Sequence, residues 1–200
     1  MSDAIRHFTT TVPFWRPYVT PIDLETASPE QLEALKVTPS NTKVSEYVLV
    51  LAHDPESLSH RTPLFNGIMY NRGGLSRAER ELGAVGASVV NRCIYCTAVH
   101  ASRYNQLTKD DSVIDKVFAD GPEGVGEDAA LDARQRAILK FSAQLSQCPS
   151  AATKADLEAL VEAGIAAEEI LDLILSTALF GWANRLMHTL GEPVAQEATG

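Results

Sequence analysis

From Ser28 onward, apolar residues recur at three- and four-residue spacing, the period of helices that bury one face. Before that point the period is missing. Residues 9–29, "TTTVPFWRPYVTPIDLETASP", are interrupted by prolines and read as an extended arm. Ser28 caps a helix with Pro29 at its first position, running through "EQLEALK". "VSEYVLVLAH" is apolar enough for a buried helix, and Asp54-Pro55 restarts a helix toward Tyr70. Ser76 with Glu79 three later forms a capping box that opens "SRAERELGAVGASVV". Asn91 then separates that helix from the segment "NRCIYCTAVH". "DDSVIDKVFAD" reads as a short helix, "GPEGVGED" as a mobile loop, and "LDARQRAILKFSAQLSQ" as a long amphipathic helix stopping before Pro149. Thr153 with Asp156 opens a helix that ends at Gly164. "AAEEILDLILSTALFGWANRLMHTLG" is a long buried helix, with a bend expected near Gly181 and a stop at Gly191. No stretch alternates as a strand should, so the expected class is all-α. The expected organisation is an arm over residues 1–28, one helical domain over 29–193 and a frayed tail over 194–200.

Two hundred residues can bury a core of this kind in one domain. A formal net charge of −9 and no run of Lys and Arg exclude a nucleic-acid surface of the usual kind. The start, "MSDAIRHFTTTVPFW", lacks the basic and apolar blocks of a signal peptide, and "ILDLILSTALFGW" is short for a membrane span and carries Asp172. A cytoplasmic protein without a membrane partner is expected. In a reducing compartment three cysteines build no disulfide framework, so a close pair suggests reactivity or metal.

The pair is Cys93 and Cys96, with His100 four residues on. A c-type haem needs the histidine directly after the second cysteine, and Thr97, Ala98 and Val99 intervene. Zinc wants four ligands where these residues supply three, although Cys148 or a carboxylate would complete the set. A thioredoxin motif needs strands around it. A redox pair on a helix remains, beside the plainer reading of small buried thiols and a core histidine. At ~100° per residue the three side chains fall within about 60° of arc on one helix face. Cysteines three apart at a helix start lie close to bridging geometry, and the helix N-terminus favours thiolate. Cys96, one turn before His100, is expected to be the more readily ionised thiol. On the preceding helix, Glu81 falls roughly 60° off the stripe of Ala78, Leu82, Val85 and Val89, and wheel geometry alone slightly favours a surface position.

The pattern E-x11-C-x-Y-C-x3-H, from Glu81 to His100, resembles the signature of alkylhydroperoxidase D-like proteins in the carboxymuconolactone decarboxylase superfamily. "LSRAERELGAVGASVVNRCIYCTAVHA" resembles their core helix pair as a block. "LAHDPE" and "FGWANRLMHTLG" are similar to segments of the peroxidase-related subgroup. The resemblance implies a multi-helix all-α bundle that assembles as a homo-oligomer and acts on a peroxide substrate with a dithiol reductant. It implies no haem, flavin or metal cofactor. Cys96 would be the peroxidatic thiol, Cys93 the resolving one, and Glu81 and His100 a proton relay. Where the well-studied members have histidine between the cysteines this chain has Tyr95, a poor base at neutral pH and a possible hydrogen-bond donor. A lactone-acid decarboxylase needs no thiol pair, and a non-enzymatic redox sensor is the further alternative. Cys148, His53, His60 and His188 are expected to be bystanders or structural. Asn184 and Arg185 are expected at a helix-end ion pair or an interface. Phe14 and Trp15 should plug a hydrophobic groove, with the arm wrapping a neighbouring subunit.

Overall fold

The computed structural model describes residues 4–36 and 44–195. Helices dominate them, and most begin where a capping residue marks the sequence. Helix α1 (Pro29–Ala34) starts at Ser28, whose side chain accepts from the Gln31 amide while Gln31 returns a bond to the Ser28 N–H. Helix α2 (Glu46–Leu51) is capped by Ser45, and α3 (Pro55–Tyr70) by Asp54. Helix α4 (Arg77–Val90) opens with the reciprocal Ser76–Glu79 box. It is followed by α5 (Ile94–Thr108), α6 (Ser112–Gly124), α7 (Ala133–Ser146), α8 (Lys154–Glu162) and α9 (Ala167–Leu190).

Helix α4 is the axis of the bundle and packs against α5, α7 and α9. Its residues from Arg80 to Val89 are all buried. Small side chains allow this. A Cβ placed on Gly83 would meet Leu173 Cδ1 at 2.8 Å, and one on Gly86 would meet Ser142 Cβ at 2.9 Å. Glycine at these two positions lets α9 and α7 approach the α4 backbone. Arg80, 1 % exposed, fixes the start of α4: its guanidinium donates to Asp172 of α9 at 2.6 Å and to the Asn71 and Gly73 carbonyls at 3.0 and 2.9 Å. Arg134 of α7 likewise ties Glu79 to Glu169.

The structure departs from the sequence expectations at the chain ends. The arm and the residues that follow α9 pair as antiparallel strands, β1 (Phe14–Pro17) and β2 (Gly191–Val194), with Ala4 bridged to Val194. The strands are four residues long, too short for alternation to show in the sequence. Part of the arm lies on its own chain. Trp15 is 7 % exposed, stacks edge-on against Tyr47 and donates from Nε1 to the Met187 carbonyl at 3.3 Å. The expected frayed tail is ordered through Val194, and residues 196–200 lie outside the described ones. Part of the expected loop after Asp120 is helical. Gly121 (φ +66°) breaks the helix and Pro122 restarts a turn that reaches Gly124. Helix α9 is continuous through Gly181. Its 24 residues have the length and apolarity of a membrane span, a longer stretch than the sequence reading assumed, but Asp172 and a buried face engage α4 and α7.

Candidate active site

The turn between α4 and α5 sets the cysteine geometry. Arg92 takes φ +55°, and the Cys93 amide donates back to the Ser88 carbonyl at 2.9 Å. His188 Nε2, 3.0 Å from the Asn91 carbonyl, ties this turn to α9. Cys93 therefore becomes the N-cap of α5, and Cys96 lies within its first turn. Both thiols are reduced and buried, 2 % and 6 % exposed. They share one packed cluster with Trp15, Tyr47, Val50 and Met187. Cys93 also borders a cavity of about 440 Å³ between the arm and α9, lined in part by Trp15, Tyr95 and Met187.

Glu81 is 1 % exposed, and this overturns its expected surface position. The wheel put it beside the core stripe, but helices surround α4 on so many sides that the stripe's margin is interior too. His100, one turn after Cys96, lies with Nδ1 2.5 Å from Glu81 Oε2. The other carboxylate oxygen accepts from Arg77 Nε at 2.7 Å. Burial pushes Glu81 up, but the hydrogen bond from His100, followed by the His100 and Arg77 charges, brings it below the usual carboxylate range. With Nδ1–H committed to Glu81, Nε2 is the ring nitrogen free to accept a proton. Phe180 covers the imidazole, with ring centroids 4.0 Å apart. Among the described residues no hydrogen bond joins His100 to either sulfur.

The ionisation order of the thiols is the reverse of the sequence expectation. The Cys96 S–H donates to Cys93, and with the Cys96 backbone amide this holds Cys93 below the usual thiol range despite burial. Cys96 is raised because its proton is committed to Cys93, with burial and the Cys93 charge adding to the effect. The hydrogen bond between the two sulfurs is the main cause, and the Cys96 backbone amide is a smaller one. Tyr95 is half-buried at the cavity mouth. Its phenol is raised by burial and then by the nearby Cys96 charge, so it is a donor and not a base.

Sequence reasoning missed Tyr47 and Arg61. Tyr47 of α2 packs with the cysteines, and Arg61 of α3 acts on Cys96 through its charge. Neither lies near the motif in the sequence, and nothing in the pattern of α2 or α3 announces them. Cys148 is exposed, remote from the pair's cluster. His53 contacts the Thr20 carbonyl at 2.8 Å, a structural contact like that of His188. His60 borders an apolar groove. Asn184 is fully buried and accepts from Ser88 Oγ at 3.3 Å, and Arg185 bonds back to Gly181 of its own helix, so neither forms the helix-end ion pair expected. The described residues contain no group of three or more His, Cys, Asp or Glu arranged to hold a metal ion.

A family model, the Carboxymuconolactone decarboxylase family, matches residues 55–112, which include Glu81, both cysteines and His100. No protein of curated function matches the chain. An alkylhydroperoxidase AhpD core from Ralstonia eutropha JMP134, an uncharacterized peroxidase-related protein, superposes with TM-score 0.74 at 30 % identity, covering 92 % of this chain and 94 % of that one. An uncharacterized peroxidase-related protein from Silicibacter sp. TM1040 gives TM-score 0.71 at 28 % identity, covering 90 % and 94 %. The debrominase Bmp8 shares the fold, with TM-score 0.70 at 17 % identity over 86 % of this chain and 89 % of that one. Matching a solved relative at 30 % identity along nearly its whole length, with the family model spanning α3 to the start of α6, the chain belongs to the alkylhydroperoxidase D-like proteins of the carboxymuconolactone decarboxylase superfamily.

Proposed function

We propose that the protein is a cofactor-free thiol peroxidase that reduces hydrogen peroxide or organic hydroperoxides through Cys96 and Cys93. The observation that carries this reading is the buried Glu81–His100 pair one helical turn from two hydrogen-bonded thiols. Each sulfur then has a role suited to its ionisation. Cys96 holds its proton and needs a base. His100 Nε2, oriented by Glu81, removes that proton through an intervening water. The Cys96 thiolate attacks the terminal peroxide oxygen. An S–O bond forms, the O–O bond breaks, and the departing alkoxide takes the proton from His100 as alcohol. Cys93, the thiol whose ionisation is favoured, gives its proton to solvent and attacks the sulfur of the sulfenic acid. The S–S bond forms and hydroxide leaves, protonated to water. The sum is a dithiol and a hydroperoxide giving a disulfide, an alcohol and water, and an external dithiol resets the pair by exchange. The peroxidase-related names of the Ralstonia eutropha and Silicibacter neighbours support the same class. The test is hydroperoxide consumption with dithiothreitol as donor. Wild type should turn over, and Cys96→Ser should stay at the uncatalysed rate. A variant that keeps the wild-type rate, or a wild type with none, would refute the proposal.

A further inference from the structure

Two donors beside the dithiol have nothing to bind. The Tyr47 hydroxyl is buried without a hydrogen-bond partner, and so is Arg61 Nε. A buried polar atom left unmatched opposes folding, so it marks a place where a ligand completes the set. Tyr47 is 8 % exposed, with its ring held edge-on to Trp15 at 5.5 Å. The Arg61 guanidinium lies 5.8 Å from the Tyr47 ring centroid and 5.0 Å from that of Phe65. Among the described residues no carboxylate pairs with Arg61. The anion available to it is the thiolate of the pair, which belongs to the same packed cluster as Tyr47.

We propose that Tyr47, with Arg61 behind it, is the substrate-oxygen site of the dithiol centre. The phenol donates to the oxygen that departs as the O–O bond breaks, and the guanidinium offsets the negative charge shared by sulfur and that oxygen. This inference rests on the peroxidase reading and adds the group that holds the substrate. In the step, the O–O bonding pair leaves with the departing oxygen. That oxygen accepts a hydrogen bond from Tyr47 Oη and its proton from His100, and Tyr47 keeps its own proton. Burial, against the opposing Arg61 charge, pushes the phenol up to about 12, so it remains a donor at neutral and alkaline pH. Arg61 is a positioning residue: it acts through the Tyr47 ring and through its field, which favours the Cys96 thiolate against the Cys93 charge.

The test measures the rate at which tert-butyl hydroperoxide oxidises the reduced protein, in wild type, Tyr47→Phe, Arg61→Gln and Arg61→Lys. Melting temperature and the pH dependence of iodoacetamide alkylation are read alongside. Alkylation reports the thiols beside the titratable and charged groups around them: His100 and Tyr95 from α5, Tyr47 from α2 and Arg61 from α3. Tyr47→Phe keeps the ring and loses only the unpartnered hydroxyl. Oxidation should slow roughly ten- to hundred-fold, with alkylation and melting temperature unchanged or the latter raised. Arg61→Gln should slow oxidation and move the alkylation profile to higher pH, and Arg61→Lys should restore most of both. A Tyr47→Phe rate within about twofold of wild type would overturn the inference, as would a slowing matched by equal losses in alkylation and stability. A wild type that peroxide does not oxidise would instead overturn the peroxidase reading on which the inference stands.

Discussion

Replacing Glu81 by glutamine would leave the buried His100 and Arg77 facing an amide in place of a carboxylate. Hydrogen bonds to a charged group are worth about 1.5–3 kcal/mol, so the variant should be less stable by roughly that amount near pH 7. The sign of the pH dependence follows from the lowered Glu81 ionisation. A carboxylate held below its ordinary value of 4.5 contributes stability that is present above that value and lost as pH falls through the folded one. The stability gap between wild type and Glu81→Gln, measured by denaturant unfolding, should therefore close in acid; a gap that persists or widens there would contradict the assignment. Peroxide turnover, assayed well below both melting temperatures, should fall roughly ten- to a thousand-fold, below the full hundred- to ten-thousand-fold of general acid–base catalysis because Glu81 acts through His100. A variant with full turnover would remove Glu81 from the relay.

At the scale of elements, the helices were legible because their ends are written in single residues. Ser28, Ser76, Asp132 and Thr153 each cap where a capping side chain meets a helical period. The strands were not legible, since β1 and β2 exist only through each other and their partners, from Phe14 with Val194 to Pro17 with Gly191, lie at opposite ends of the chain. The sequence pattern reached as far as one helix pair carries it: Glu81 pairs with His100, and Cys93 packs with Cys96 one turn earlier on the same helix. Tyr47 and Arg61 come from other helices, and a linear pattern holds no signal for contacts between elements. The thiol order failed because it turns on the hydrogen bond between the two sulfurs, which a linear pattern does not show. Helix α4 makes the strongest prediction at this scale. Gly86→Val would press a branched side chain onto Ser142 and the Leu139 carbonyl, 2.9 and 3.4 Å from the added Cβ. Overpacking of this kind costs about 1–3 kcal/mol, and valine gains little helix propensity to offset it. Thermal unfolding should show the loss, and an unchanged melting temperature would mean that α7 can move away freely.

For the whole molecule, the arm contributes to the fold of its own chain, so deleting residues 1–24 should lower the melting temperature by stripping Trp15 from Tyr47 and Met187. A second apolar surface remains open. Leu64, Leu175 and Trp182 are 58 %, 40 % and 45 % exposed and line a groove between α3 and α9. We propose that a second copy of the chain covers it, since contiguous apolar patches seldom stay in water. Light scattering at micromolar concentration should give a multiple of 21.6 kDa for wild type and a smaller mass for Trp182→Glu; a monomeric wild type would refute this. The claim on which the account turns is that one peroxide makes one bond between two named sulfurs. Reduced protein should be treated with one equivalent of tert-butyl hydroperoxide, digested and mapped by mass, with the alcohol quantified. One Cys93–Cys96 disulfide, two hydrogens lost and one tert-butanol per chain are expected, with Cys148 still a free thiol. Peroxide left unconsumed, or a disulfide formed through Cys148, would contradict it.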